Sequence, residues 1–190
     1  MIKRDWALIL IDIQEGFHDP VWGPRNNPRF EEAVSDLLSW WRSAGGRVIH
    51  VQHLSRKAAS PLAPGKTGAA FMSCSAPIEG EITFAKNVNS AFIGTGLEGY
   101  LKERAVSNLV FAGLVTDHCV STSVRMAGNL GFSPVVLSDV TATFDRVSHD
   151  GQKFTADLVH SVSLASLNEE FARVMELEQL QQRMADEVAP

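Results

Sequence analysis

Cysteine is scarce, with Cys74 and Cys119 the two thiols in 190 residues. Two thiols cannot build a disulfide framework, so the fold must rest on a packed core, and a reducing, cytoplasmic location is expected. A surplus of basic residues is missing as well. Seventeen Lys and Arg against 22 Asp and Glu give a net charge of −5, which argues against a nucleic-acid partner. No apolar run approaches the roughly 18–20 residues that span a bilayer, so no membrane partner is expected. A secretory leader is not expected either. Lys3 and Arg4 precede an apolar stretch, but Asp12 interrupts it and no small-residue cleavage site follows. No internal repeat is visible.

What is present is enough for a core: 45% apolar residues and 21% charged ones. Continuous apolar runs occur at Ala7–Ile13, Val48–Val51, Leu109–Leu114 and Pro134–Leu137. Such runs suit strands buried on both faces of a parallel sheet. A shorter strand is read at Ile82–Ala85. Helical patterns alternate with the runs. One opens at Asn27 and Pro28, carries Phe30, Val34, Leu37, Leu38 and Trp41, and stops at Gly45-Gly46. A capping box, Thr95 to Glu98, opens a second through Leu97, Leu101 and Ala105. A third starts near Asp117 and runs to Gly131. A fourth covers Gly151 to Leu167, with Phe154, Leu158 and Val162 on one face. The alternation predicts an α/β fold with right-handed crossovers. Ser55–Glu81, rich in Pro and Gly, is long for a connection and reads as a cover over a site. Residues 176–190 read as a polar helical tail at the periphery, available to a partner subunit.

Ligands of open parallel sheets bind beyond the carboxyl ends of the strands. Asp12, Lys86 and Cys119 fall at three such ends. Together they make a nucleophilic site. A helix N-terminus and Lys86 would favour the Cys119 thiolate. Asp12 could take the thiol proton and return it to a leaving amine. Backbone N–H groups of the turn before Cys119 could hold an oxyanion. An adjacent Asp12 anion opposes the thiolate, so the net thiol pKa is not set by the sequence. With the helix N-terminus and Lys86 taken as dominant, Cys119 is expected to alkylate faster than Cys74, which is read as structural.

At these residues the chain resembles the isochorismatase-like cysteine hydrolases, which include nicotinamidases and N-carbamoylsarcosine amidases. The blocks are LILIDIQEGF (Leu8–Phe17), VIHVQH (Val48–His53), FAKNVNSAFIGTGLEGYL (Phe84–Leu101) and GLVTDHCVSTSVRMAGNLGF (Gly113–Phe132), with VVLSDVTATFD and LASLNEEFARV further on. The resemblance implies a three-layer, doubly wound sandwich around a six-stranded, mainly parallel sheet, in a hydrolase domain over residues 1–175. It implies an Asp12-Lys86-Cys119 triad and a cis peptide at Leu114–Val115, with the Val115 and Cys119 N–H groups as the oxyanion hole. It implies a small-molecule substrate, bound by Phe17, Trp22, Phe92, Thr116 and His118. It implies a homodimer or homotetramer, to which an exposed Trp40-Trp41 pair would contribute.

Cysteine-dependent hydrolysis of a small amide or ureide through a thioester is the expected activity, and it needs no cofactor. Vinyl-ether hydrolysis, as in isochorismate hydrolases, and an idle scaffold are the alternatives. No metal is expected, because His50 and His53, three apart on a strand, point to opposite faces and no D-x-H block accompanies them. Gly94–Gly99 fits G-x-G-x-x-G, but no strand runs into its first glycine and its Thr and Glu read as a helix cap, so dinucleotide binding is disfavoured. A redox thiol lacks a C-x-x-C partner.

Overall fold

The computed structural model describes residues 1–186. Six strands form the main sheet: β1 (Trp6–Ile11), β2 (Arg47–His53), β3 (Ile82–Lys86), β4 (Asn108–Leu114), β5 (Ser133–Ala142) and a late strand at Arg173–Met175. A short hairpin, β6 (Arg146–Val147) with β7 (Lys153–Phe154), stands apart, so the late strand is β8. The order is β3-β2-β1-β4-β5-β8, and every neighbouring pair is parallel. Helices α1 (Phe30–Ser43), α2 (Leu97–Glu103), α3 (Ser121–Asn129), α4 (Ala156–Leu167) and α5 (Leu177–Asp186) complete the set.

The sheet buries both faces. All six residues of β1 are buried, as a continuous apolar run requires. One face packs Leu8, Leu10 and Val110 with Phe30, Val34, Leu37 and Trp41 of α1. The other packs Ile9, Ile49 and Phe111 with Leu97 and Leu101 of α2 and Val124 and Ala127 of α3. Chain order runs outward in both directions from β1 and β4, so the topological switch point lies between them. Gly113 sits at that junction with φ +128, and a Cβ there would stand 2.1 Å from the Ile11 carbonyl oxygen. Glycine alone lets the two strands approach so closely.

Several local expectations change. Helix α1 starts at Phe30 because Asn27 takes φ +52 and donates its side-chain amide to the Asp139 carbonyl at 2.5 Å, so it holds the chain against β5 instead of capping. Thr95 makes no capping box. Gly96 precedes α2, while the Thr95 hydroxyl turns back to the Ala91 carbonyl at 2.6 Å. Helix α4 starts at Ala156, capped by Thr155, because Phe154 pairs in the hairpin. Leu158 and Val162 are exposed instead of packed. Trp41 is fully buried and donates to the Arg47 carbonyl at 3.0 Å, so the Trp40-Trp41 pair is no exposed patch. In α5, Leu177 and Leu180 are buried against this domain's own core. The remainder of the expected tail, 187–190, lies outside the described residues.

Candidate active site

The switch point brings together side chains that are far apart in sequence. Asp12 follows β1 with φ +52, a left-handed conformation that Asp tolerates better than most residues. Its N–H bonds to the Val51 carbonyl at 2.9 Å, fixing the turn onto β2. Lys86 closes β3 and reaches over β2 to place Nζ 2.6 Å from Asp12 Oδ2, with both side chains wholly buried. The Leu114–Val115 peptide at the end of β4 is cis. A π-helical turn, Thr116–Val120, leads from it into α3 and carries Cys119, which is buried.

His53 completes the cluster, and sequence reasoning missed it. Its Nδ1 lies 3.1 Å from Lys86 Nζ. The donor atoms of Asp12, His53 and Cys119 all lie within 4.8 Å of one another. That spacing would suit a metal ion, but the Lys86 ammonium already sits against all three groups. A cation would have to displace it. His50 points the other way, to Glu81 at 2.8 Å, as the strand alternation requires. His53 stands at the carboxyl end of a sheet strand, the same criterion that singled out Asp12 and Lys86, so the signal was available.

Electrostatics place the proton on sulfur in the free protein. Burial pushes the Cys119 thiol far up, the Asp12 charge adds to this, and Lys86 only partly offsets it. The sequence left the net shift open; it is upward, and further than for Cys74, against the expectation that Cys119 alkylates faster. The thiol is buried beside an anion, and desolvation outweighs the cation. Burial likewise pushes the Asp12 carboxyl up, opposed by Lys86. Asp12 Oδ1 has no hydrogen-bond partner. It is a free acceptor on a carboxylate that lies within 4.8 Å of the Cys119 sulfur.

The long connection covers this edge from within the same chain. Gln14 is fully buried and accepts from the His53 N–H at 2.8 Å, while its amide donates to the carbonyls of His53 (3.1 Å) and Ala69 (2.8 Å). Gln52 donates to Ala69 as well, at 2.7 Å. Gly16 and Gly68 cross so tightly that a Cβ on Gly68 would lie 2.8 Å from Gly16 Cα.

The expected substrate residues make different contacts. Phe17 and Trp22 pack on each other and on Phe144, with centroids 5.1–6.0 Å apart. Phe92 stacks on Phe132 at 6.0 Å in the apolar layer that includes Cys119. The Thr116 hydroxyl is engaged by His160 at 2.9 Å. His118 turns outward, with its side chain 53% exposed, 3.3 Å from Asp117. Burial would raise Asp117, but Arg146 at 2.7 Å and the Thr143 hydroxyl bring it below its ordinary value. Gly94–Gly99 lies in the turn opening α2, eight residues beyond the end of β3, and forms no strand–glycine–helix phosphate loop. Cys74, half-buried, is pushed up to about 11, chiefly by burial.

Comparison with known proteins agrees with this architecture. The model of the isochorismatase domain matches residues 6–179. The isochorismatase family protein YrdC of Bacillus subtilis is 43% identical over 174 residues, covering 92% of this chain and 93% of its own length. Maleamate amidohydrolase of Pseudomonas putida is 29% identical over 171 residues, covering 81% of this chain and 80% of its own. A crystal structure of an isochorismatase-family protein from Chromobacterium violaceum superposes with a TM-score of 0.93 at 41% identity, covering 98% and 96% of the two chains.

Proposed function

The chain belongs to the isochorismatase family of hydrolases, and within it we propose a cysteine-dependent amidohydrolase that cleaves a C–N bond of a small amide or ureide. The observation that carries this reading is the buried Asp12–Lys86 pair, with Asp12 Oδ1 unpartnered beside the Cys119 thiol. Likeness to a maleamate amidohydrolase supports the bond type.

The steps follow from the charges. The Cys119 S–H proton passes to Asp12 as sulfur bonds to the substrate carbonyl carbon. The oxyanion that forms is held by the N–H groups of Val115 and Cys119. Asp12 returns the proton to the leaving nitrogen, the C–N bond breaks, and a thioester remains. Water then attacks the thioester, giving its proton to Asp12, and Cys119 leaves and is reprotonated. Lys86 holds Asp12 anionic until the proton arrives and balances negative charge on sulfur. Because the thiol is neutral at rest, the nucleophile is generated only with a carbonyl in place. No step requires a cofactor. Phe17, Trp22, Phe92, Thr116 and His118 remain the proposed substrate shell.

The reading includes a cytoplasmic location, which the two free cysteines support. Among the described residues, no helix is long and apolar enough to cross a membrane. It also includes a homodimer or homotetramer, supported by Leu158 and Val162, exposed on α4 at 49% and 60%. Analytical ultracentrifugation tests it, and a monomer at all concentrations would refute it.

The decisive test is a panel of small amides and ureides scored by ammonia or amine release. Cys119→Ala is expected to abolish turnover and Cys74→Ala to preserve it. Turnover retained by Cys119→Ala would refute the thioester route and bring vinyl-ether chemistry forward. No release from any panel member would favour an idle scaffold.

A further inference from the structure

The buried Lys86 ammonium poses an accounting problem. It carries three N–H donors and no acceptor, and its side chain is wholly buried. Asp12 Oδ2 takes one donor at 2.6 Å. The Cys119 side chain is a second neighbour, in hydrogen-bonding reach of the ammonium. His53 Nδ1, at 3.1 Å, is the third.

The sheet order explains why the third is needed. Lys86 lies on β3 and Asp12 follows β1, with β2 between them. Two strand spacings are about 10 Å, so the side chain must cross the end of β2. His53 and Lys86 are register partners there. The ammonium therefore passes directly over the imidazole. The backbone of His53 is itself locked, since both its N–H and its carbonyl bond to the buried Gln14 side chain.

We propose that His53 is a positioning residue of the hydrolase: its neutral ring accepts from Lys86 Nζ through Nδ1 and holds the ammonium on Asp12 Oδ2, keeping Oδ1 free for the thiol proton. An ammonium only donates, so Nδ1 must be unprotonated and the ring proton sits on Nε2. The ring also makes a hydrogen bond to the backbone of Val88. Burial, and then Lys86, hold the imidazole below its ordinary pKa, with Asp12 opposing them. The charged or titratable groups acting on the ring are thus Lys86 from β3 and Asp12 after β1, with the Cys119 thiol close by on the π-helical turn. Protonation at Nδ1 would set two cations against each other and remove the acceptor.

The inference rests on the triad reading for its kinetic arm alone. His53→Leu removes the acceptor and is expected to lower kcat about 10- to 100-fold, the loss for one hydrogen bond to a charged group, with KM within about threefold. His53→Asn places an amide oxygen near the Nδ1 position and is expected to recover most of kcat. In wild type the acid limb of kcat/KM includes His53 protonation, and in His53→Asn that limb moves to lower pH. Unchanged kcat in His53→Leu, or no recovery by His53→Asn when both variants melt as wild type does, would overturn the proposal. A second arm needs neither substrate nor variant. Nitrogen-15 NMR of labelled imidazole is expected to show His53 as the Nε2–H tautomer at neutral pH. An Nδ1–H tautomer or an imidazolium would overturn the assignment even if hydrolysis proceeds. Turnover in Cys119→Ala with an Nε2–H His53 would refute the triad and leave the Lys86–His53 contact standing.

Discussion

Replacing Lys86 by Met removes the counter-charge of Asp12 while nearly keeping the volume, and the consequence for stability can be worked out. The Asp12 side chain is wholly buried, Lys86 holds one carboxylate oxygen, and the other has no partner. Stranding a buried charge by removing its partner costs about 3–5 kcal/mol. The carboxyl avoids that cost by taking up a proton, because burial already pushes it upward and the strongest opposing group, Lys86, is gone, which leaves only the weaker pull of Cys119 and His53. The price becomes a proton uptake referred to the unfolded value near 3.9, at ~1.36 kcal/mol per pH unit. The ceiling is about 4 kcal/mol at pH 7 and about 1.5 kcal/mol at pH 5. The sign follows from the proton count. Above pH 3.9 the native variant holds a proton that the unfolded chain has lost, so its stability falls as pH rises. Urea unfolding followed by tryptophan fluorescence, at pH 5 and pH 7, measures both values. The double variant Asp12→Asn/Lys86→Met is expected to lose the pH dependence and recover most of the stability. A Lys86→Met loss below about 1 kcal/mol at pH 7, or one that shrinks as pH rises, would refute the account of a desolvated, paired carboxylate.

Glu81 supplies a second titration. Burial would raise it, but Arg42, the Ile78 N–H and His50 outweigh burial and bring it from 4.5 to about 2. A depressed carboxylate stabilises above its unfolded value, and that gain is lost as pH falls through the folded one. Glu81→Gln is therefore expected to cost about 3 kcal/mol at neutral pH and progressively less toward pH 2, as read by acid-dependent urea melts. Gly113→Ala is expected to lose more than about 4 kcal/mol, measured as Tm or as loss of soluble protein, because its Cβ would strike the Ile11 carbonyl at 2.1 Å. Gln14→Ala takes the side-chain partner from two backbone groups, the N–H and the carbonyl of His53, while the Ala69 carbonyl keeps the Gln52 amide. It is expected to cost about 2–4 kcal/mol and to speed amide exchange across residues 69–72.

Much of the fold was legible because a doubly wound sheet leaves a strong trace. Strands buried on both faces must be apolar throughout, so β1, β2, β4 and the start of β5 announced themselves. β8 did not. Arg173–Met175 is three residues long and pairs only at the sheet edge, so Arg173 stays exposed and no apolar run marks it. Helix boundaries misled where side chains had long-range work. Asn27 was read as a cap, yet it bonds to β5 more than a hundred residues away. Leu158 and Val162 share an apolar face that turns out to be exposed, since periodicity marks one apolar face of α4 without saying which face meets the sheet.

For the site, residue type and strand position were enough to pick the candidates: Asp12, Lys86 and Cys119 are polar groups at the ends of apolar strands, and strand ends are where an open sheet binds. It also determined that His50 and His53 diverge, because strand side chains alternate. How those groups act on one another follows from the folded arrangement alone. The order β3-β2-β1 makes Lys86 cross His53 to reach Asp12, and no local pattern encodes strand order. Burial of the thiol beside Asp12 settled the direction of its pKa, which the sequence left open, since desolvation depends on what surrounds Cys119 and not on its neighbours in the chain. Residue type and spacing name the chemistry, while protonation and positioning are set by solvent exclusion and by contacts between segments that only folding brings together.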